Sequence, residues 1–341
     1  MTQLITLESK VTKSSTLSYD SFCKKWVEFL QVKPASVKAY VKGVKNFFAF
    51  LQKKNISEIT RAVLLSYREY LKPLTPEAVE KEKRSGIRID NAHFQAATSN
   101  LYLTATKLFI DYLYQEGLLQ SNCAERIKIF KTDMVHSKAA LSENNTKKII
   151  GKLNLACATA GNKASTLKSK RDRAIYVLMT CCGLRCVEVM RANKGDLILN
   201  IDKYFLHVQG KGRNDKKDCV EVPIGVLKVI NDYLAERGKV SDDEPLFASV
   251  SHRNFGGRLT TVSISRIIKG IFRANDIDTP SFTAHSLRHT CATTMILHGV
   301  PLRKVQEVLR HKSVVVTERY LRDNDRYNNG GESVAAAAFG L

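Results

Sequence analysis

Alternation of apolar and polar side chains is confined to one part of this chain, and that confines its β-structure. Segments 196–201, 204–209 and 218–224 each read as a short strand, with Asp202-Lys203 as the first expected turn and Gly210-Lys211-Gly212-Arg213-Asn214-Asp215 as the second. Outside that stretch, apolar residues recur at the three-and-four spacing of amphipathic helices. The expected fold is therefore mainly α with a small antiparallel β-sheet.

The helical segments fall into two groups, and 341 residues are enough for two domains. In the first group, residues 17–30 put Tyr19, Phe22, Trp26, Phe29 and Leu30 on one face. Pro34-Ala35-Ser36 opens a second helix whose stripe is Val37, Tyr40, Val41, Val44, Phe47, Phe48 and Leu51. Lys38, Lys42, Lys45, Lys53 and Lys54 cover much of the remainder, either as a solvated face or as a face for a nucleic-acid backbone. A third helix is expected to start near Ser57 and stop at Pro73, and a long one runs from about His93 to Glu116 before Gly117. Between them, residues 74–91 are polar, carry Pro76 and Gly86, and read as an inserted loop. In the second group, Ser142 caps a helix start, and the basic patch 163–173 leads into an apolar helix at 174–180. Helices at 224–237 and 261–275 follow the strands, then one after Thr283, one from Pro301 to Leu309, and a helical stretch from Ser313 to Tyr320. The expected division is a helical unit over 1–131, a linker over 132–141, a second domain over 142–327 and a tail over 328–341.

Lys and Arg total 54 against 33 Asp and Glu, a formal charge of +21, which points to a polyanionic partner. No apolar run approaches the roughly 20 residues of a membrane span, so nucleic acid fits that charge better than a bilayer. The first thirteen residues lack the apolar core and cleavage site of a signal peptide. The eight cysteines are scattered, several of them inside apolar helical runs, so a reduced cytoplasmic setting is expected.

Residues 284–320 gather cations, imidazoles and a phenol. His285, Arg288 and His289 stand three and four apart on one helix, His311 ends the next, and Tyr320 follows. A phosphodiester attacked by a side chain needs such a set: guanidinium forks for the non-bridging oxygens, imidazoles to move protons, and a hydroxyl nucleophile. The stretch therefore points to DNA cleavage. Arg185, beside Gly183 at a helix start with Glu188 three residues on, is either a local ion pair or an anion clamp. Lys211, between two glycines at a hairpin tip, is either an exposed turn lysine or a proton donor to a departing alkoxide. Taken singly, Tyr320 would be a surface residue of a basic helix, and Tyr327 is a competing phenol. His285 and His289 have a spacing compatible with zinc, but Arg288 would oppose a dication and no acidic ligand accompanies them, so neither metal nor cofactor is expected.

Together these residues resemble the tyrosine recombinase (phage integrase) family: Gly-Leu-Arg185 with Glu188, Lys211 in Gly-Lys-Gly, His285-x-x-Arg288-His289, Leu-x-His311 and Tyr320. The resemblance spans most of 142–323, and residues 19–117 resemble the family's helical core-binding domain. It implies a C-shaped two-domain clamp on double-stranded DNA, acting as a site-specific recombinase or integrase. It also implies roles. Tyr320 would attack the scissile phosphate, giving a 3′-phosphotyrosyl link and a free 5′-hydroxyl; Arg185 and Arg288 would hold the phosphoryl oxygens. Lys211 would protonate the leaving 5′-oxygen, His285 and His311 would assist proton movement, and Glu188 and His289 would support them. A homotetramer on synapsed DNA is implied, assembled from a monomer or weak oligomer, with the apolar tail 328–341 docking on the neighbouring subunit. Two departures stand out. Arg310 stands where the family often has glycine, and the 74–91 insert exceeds a minimal core-binding domain. No separate small domain is expected ahead of Ser15. The competing readings are a type IB topoisomerase-like swivelase, against which His285 and the tail count, and a non-catalytic sequence-specific DNA-binding regulator, which has no use for Tyr320.

Overall fold

The computed structural model of the chain describes residues 19–32, 34–73, 96–131, 139–210, 215–311, 313–318 and 320. The expected 74–91 insert, most of the linker, Lys211, Tyr327 and the tail lie outside the described residues. Two compact units divide the chain, Met1–Met134 and Val135–Leu341.

The first unit contains helices α1 (Tyr19–Phe29), α2 (Pro34–Lys53), α3 (Arg61–Tyr70) and α4 (Ala96–Gln115). Their shared core is aromatic. Trp26 is fully buried with its ring edge-on to Phe109 at 5.4 Å, and Phe47 meets Tyr67 at 4.9 Å. The Tyr67 hydroxyl donates to Asn46 at 2.9 Å, which satisfies the polar end of a buried ring. Along α2, Val44, Phe47 and Leu51 are buried as the stripe requires, Phe50 joins them, and Lys38, Lys42, Lys45, Lys53 and Lys54 are exposed. Helix α3 starts later than the spacing indicates. Thr60, with extended backbone, accepts the Val63 N–H, so the cap is Thr60 and not Ser57. Helices α2 and α4 approach closely at Gly43, where a Cβ would lie 2.8 Å from the Ala105 Cβ and 3.1 Å from the Tyr102 Cα. After α4 the chain turns at Gly117, with φ +71°.

The second unit runs α5 (Glu143–Ala158), α6 (Lys163–Cys182), α7 (Cys186–Arg191), β1 (Leu197–Asn200), β2 (Lys203–Val208), β3 (Asp218–Val222), α8 (Ile224–Arg237), α9 (Thr261–Arg273), α10 (Ala284–Leu297) and α11 (Leu302–Leu309). Residues 314–318 and 320 are also helical. Ser142 caps α5 as expected, accepting the Asn145 N–H at 3.2 Å. The basic patch and the apolar helix after it form one continuous helix, α6, because Asn162 caps the chain ahead of the patch. Its second half is apolar all round and correspondingly buried from Ala174 to Met179, which makes α6 the axis of this unit's core. The sheet is antiparallel in the order β1-β2-β3 and turns Leu206, Val208, Val220 and Val222 onto that core. Asn200 pairs with Lys203, so the β1–β2 turn is Ile201-Asp202, one residue earlier than the composition indicates. Ile201 takes a φ of +58° and is almost wholly exposed. Leu141, at the end of the expected linker, is buried in this core and its N–H donates to Thr290 at 2.9 Å.

Gly43 and Gly151 give a test of this packing, since nothing lies within 4 Å of a Cβ added at Gly151. Gly43→Ala is expected to destabilise by about 1–3 kcal/mol through overpacking. Gly151→Ala, in an open helical position, should stabilise by up to about 1 kcal/mol. Denaturant midpoints of the two variants read both effects.

Candidate active site

The site is assembled around the turn between α6 and α7. Gly183 takes a φ of +61°, and a Cβ there would sit 2.6 Å from the Leu309 Cδ2, so conformation and close packing both require glycine. The chain then extends through Leu184 to Arg185, which precedes the first turn of α7. Glu188, three residues on, accepts the Arg185 N–H at 2.9 Å through Oε2 and the Arg185 Nη1 at 2.7 Å through Oε1. The spacing of three thus produces an ion pair, and its carboxylate is buried, unlike a surface pair on a helix.

Arg288 reaches the same turn from α10. Its side chain is buried; Nη1 donates to the Gly183 carbonyl at 2.5 Å, and Nη2 donates to the Leu309 carbonyl at the end of α11. One guanidinium therefore ties three segments together. Burial and the nearby Arg185 charge lower its pKa to about 10, and Glu188 opposes that fall.

A third guanidinium, Arg310, completes the cluster. It lies in the left-handed region at φ +54°, which disfavours a non-glycine residue by about 1 kcal/mol. Its Nη2 donates to Glu188 Oε2 at 2.9 Å and its Nη1 to the Val308 carbonyl at 2.6 Å. Glu188 is thereby held between two arginines. Burial alone would raise its pKa, but Arg310, the Arg185 N–H and the Arg185 and Arg288 charges together hold it below the usual carboxylate value.

His311 follows directly, its Nδ1 2.9 Å from the Thr317 Oγ1. Burial, then the positive charges of Arg288, Arg185 and Arg310 with His285, push its pKa down to about 3, so the ring is neutral at ordinary pH. Tyr320 is buried against Cys291, Ala292, Val305 and Leu309. Its ring stacks on His311 at 6.0 Å and meets His289 edge-on at 4.8 Å, and His289 in turn meets His285 at 5.1 Å. Burial raises the Tyr320 phenol above its ordinary value, while Arg288 and Arg185 pull it back.

The fold thus gathers Arg185, Glu188, Arg288, His289, His311 and Tyr320, with His285 beside His289. Lys211 lies outside the described residues, but both sides of its loop are anchored: Arg191 donates to the Gly210 carbonyl at 3.1 Å, and Lys216 pairs with Asp196 at 2.5 Å. Sequence reasoning passed over Arg310 as a mere departure at a helix end and missed Thr317. Its one signal was an arginine immediately before His311. Chemically, the cluster is a largely buried set of guanidiniums beside a phenol and a neutral imidazole, suited to binding an oxyanion and moving one proton.

Residues 140–326 match the sequence profile of the Phage integrase family. The chain belongs to that family. Tyrosine recombinase XerA of Pyrococcus furiosus is 28% identical over 283 residues, covering 82% of this chain and 88% of that protein. A XerH site-specific recombinase, solved on its palindromic difH substrate as a post-cleavage complex, superposes with a TM-score of 0.64 at 18% identity over 93% of this chain and 84% of its own. A lambda integrase tetramer bound to a Holliday junction superposes with a TM-score of 0.58 at 16% identity over 88% and 76%. This tyrosine recombinase is therefore an enzyme of site-specific DNA recombination. No helix among its described residues is long and apolar enough to cross a membrane.

The neutral His311 has a consequence for stability. Between pH 6.5 and about 3 the unfolded recombinase takes up a proton on this ring that the folded one refuses, so stability should fall as the pH drops through that window. His311→Gln should flatten part of that slope in denaturation curves, and the His311 ring signals should not titrate near pH 6 in NMR spectra.

Proposed function

We propose that this recombinase cleaves double-stranded DNA by attack of Tyr320 on the scissile phosphate. The tyrosyl oxygen forms a bond to phosphorus as the bond to the 5′-oxygen breaks, which leaves a 3′-phosphotyrosyl link and a free 5′-hydroxyl. Arg185 and Arg288 hold the non-bridging oxygens of the transition state. Lys211 delivers the proton to the leaving 5′-oxygen, His311 and His285 assist in taking the phenolic proton, and Glu188 and His289 support these groups. Because the link retains the energy of a phosphodiester, a second strand's 5′-hydroxyl reverses the step without ATP or a metal. The observation that carries the reading is the Tyr320 ring packed against His311 and His289 beside buried guanidiniums.

Two further features support it. Among the described residues, the Nε–H of Arg288 is buried without an acceptor, a deficit that a phosphate oxygen can fill after a small side-chain shift. The formal charge of +21 suits a duplex backbone, and the exposed α2 lysines offer one face for it. Both units meet DNA, four copies assemble on synapsed sites with the 328–341 tail passed to a neighbour, and the enzyme works in the cytoplasm. The tetramer of lambda integrase on a Holliday junction is the precedent for that assembly.

The test uses nicked duplexes selected from a random-sequence pool by covalent capture with the intact chain. Tyr320→Phe should bind the selected duplex and yield no denaturant-resistant adduct, while Tyr327→Phe should still yield it. An adduct from Tyr320→Phe sinks the assignment of the nucleophile, and plasmid relaxation with no site preference favours a swivelase. Bound duplex should also raise the His311 pKa above its DNA-free value, because phosphate cancels part of the guanidinium field.

A further inference from the structure

Arg310 occupies a position where the backbone favours glycine, and its side chain accounts for its presence. At φ +54° and ψ +46° the residue closes α11 in the left-handed conformation. A strained backbone of this kind persists where surrounding contacts over-determine it, and here the contacts are those of the guanidinium. The side chain is 7% exposed, Nη1 is held by the Val308 carbonyl at 2.6 Å, and Nη2 reaches Glu188 Oε2 at 2.9 Å. That same oxygen accepts the Arg185 N–H, and the other carboxylate oxygen accepts the Arg185 guanidinium. One carboxylate therefore carries three donors, two from the start of α7 and one from the end of α11.

We propose that Arg310 is a positioning residue for strand cleavage, acting through Glu188 to fix Arg185 and to hold the His311–Tyr320 segment in register with α7. This rests on the reading of Arg185 as a phosphate clamp and Tyr320 as the nucleophile. Arg185 has 27% of its side chain exposed, whereas Arg310 and Glu188 are buried, so Arg185 is the member of the trio open to a ligand. A glycine at position 310 would relax the backbone yet leave Glu188 bound only within its own helix. The two halves of the site would then share one fewer tie, with the Arg288 bonds to Gly183 and Leu309 remaining. Lysine cannot substitute, since a single ammonium on a flexible stem does not reproduce a fork that grips Val308 and Glu188 together.

Among the described residues, the charged groups facing Glu188 are Arg185 on its own helix, Arg288 from α10 and Arg310 from the end of α11. Removing Arg310 takes away the largest of the attractions that hold the carboxylate ionised, so Glu188 protonates at a higher pH. The acid limb of the cleavage profile should move up accordingly.

The experiment measures single-turnover adduct formation by the full chain on the selected nicked duplex, across pH, for wild type, Arg310→Gly, Arg310→Lys, Glu188→Gln and the double variant Glu188→Gln/Arg310→Gly. Arg310→Gly should keep DNA affinity within about twofold and lose about ten- to a hundredfold in adduct formation, the size expected of a misplaced clamp. Its acid limb should shift upward, Arg310→Lys should recover only part of the rate, and Arg310→Gly should add little once Glu188→Gln is present. Should Arg310→Gly fail to fold, as judged by its thermal midpoint, Arg310→Lys carries the comparison because it keeps a charge beside Glu188. A wild-type rate and pH profile in both Arg310 variants overturns the proposal. So does an undiminished effect in the Glu188→Gln background, which would mean that Arg310 acts on His311 or on DNA directly. Neither outcome bears on Tyr320, whose assignment fails only through its own phenylalanine variant.

Discussion

The second unit is organised around one electrostatic problem: Arg185, Arg288 and Arg310 converge on a buried region where, among the described residues, Glu188 is the one carboxylate between them. Taking charges out of water costs several kcal/mol per ion unless partners and hydrogen bonds offset it. The fold meets that demand in part, with Glu188 for two of the arginines and with the Gly183, Leu309 and Val308 carbonyls for Nη donors of Arg288 and Arg310, whose Nε–H groups go without an acceptor. An excess of positive charge remains. On the proposed reading, a phosphate oxyanion supplies the missing counter-charge among donors that are already oriented.

The same bonds explain why residues far apart in the chain meet. Arg288 links the α6–α7 turn to the end of α11, Arg310 links that end back to α7, and Gly183 lets Leu309 pack against the turn. In the segment that carries Tyr320, the described residues divide between solvent and core. Val314, Val315 and Val316 are exposed, whereas Thr317 and Tyr320 are buried and the His311–Thr317 contact bridges its start.

Which of these features were legible in the sequence follows from their range. Helix existence was, because the α2 stripe of Val44, Phe47 and Leu51 and the all-apolar run in α6 are set by local period. So was the sheet, because Leu206, Val208, Val220 and Val222 alternate onto the core. Boundaries were less so: Thr60 competes with Ser57 for the α3 cap, and Asn162 absorbs the basic patch into α6, choices decided by a single side-chain hydrogen bond each. The turn at Ile201 went against composition because strand register, and not residue preference, fixed it. In the candidate site, Arg185, Glu188, Arg288, His311 and Tyr320 stood out through their chemistry and order, and the fold brings them together. Arg310 and Thr317 did not stand out, because their meaning lies in contacts with Glu188 and His311 that only the folded chain creates.

The two titrating groups at the centre oppose each other in a useful way. Burial raises the Tyr320 phenol, so it does not ionise unaided, and the guanidiniums keep His311 neutral, so it is available as a proton acceptor but a weak one. A bound phosphate cancels part of the guanidinium field at both residues. That cancellation makes the phenol harder to ionise by itself, and by the same physics it makes the imidazole more basic. On the proposed reading, proton transfer from Tyr320 is then coupled to the presence of substrate and to its position among the arginines. In the DNA-free protein the cluster therefore keeps His311 a weak base, and a phosphate among the guanidiniums makes it a stronger one while leaving the phenol no easier to ionise.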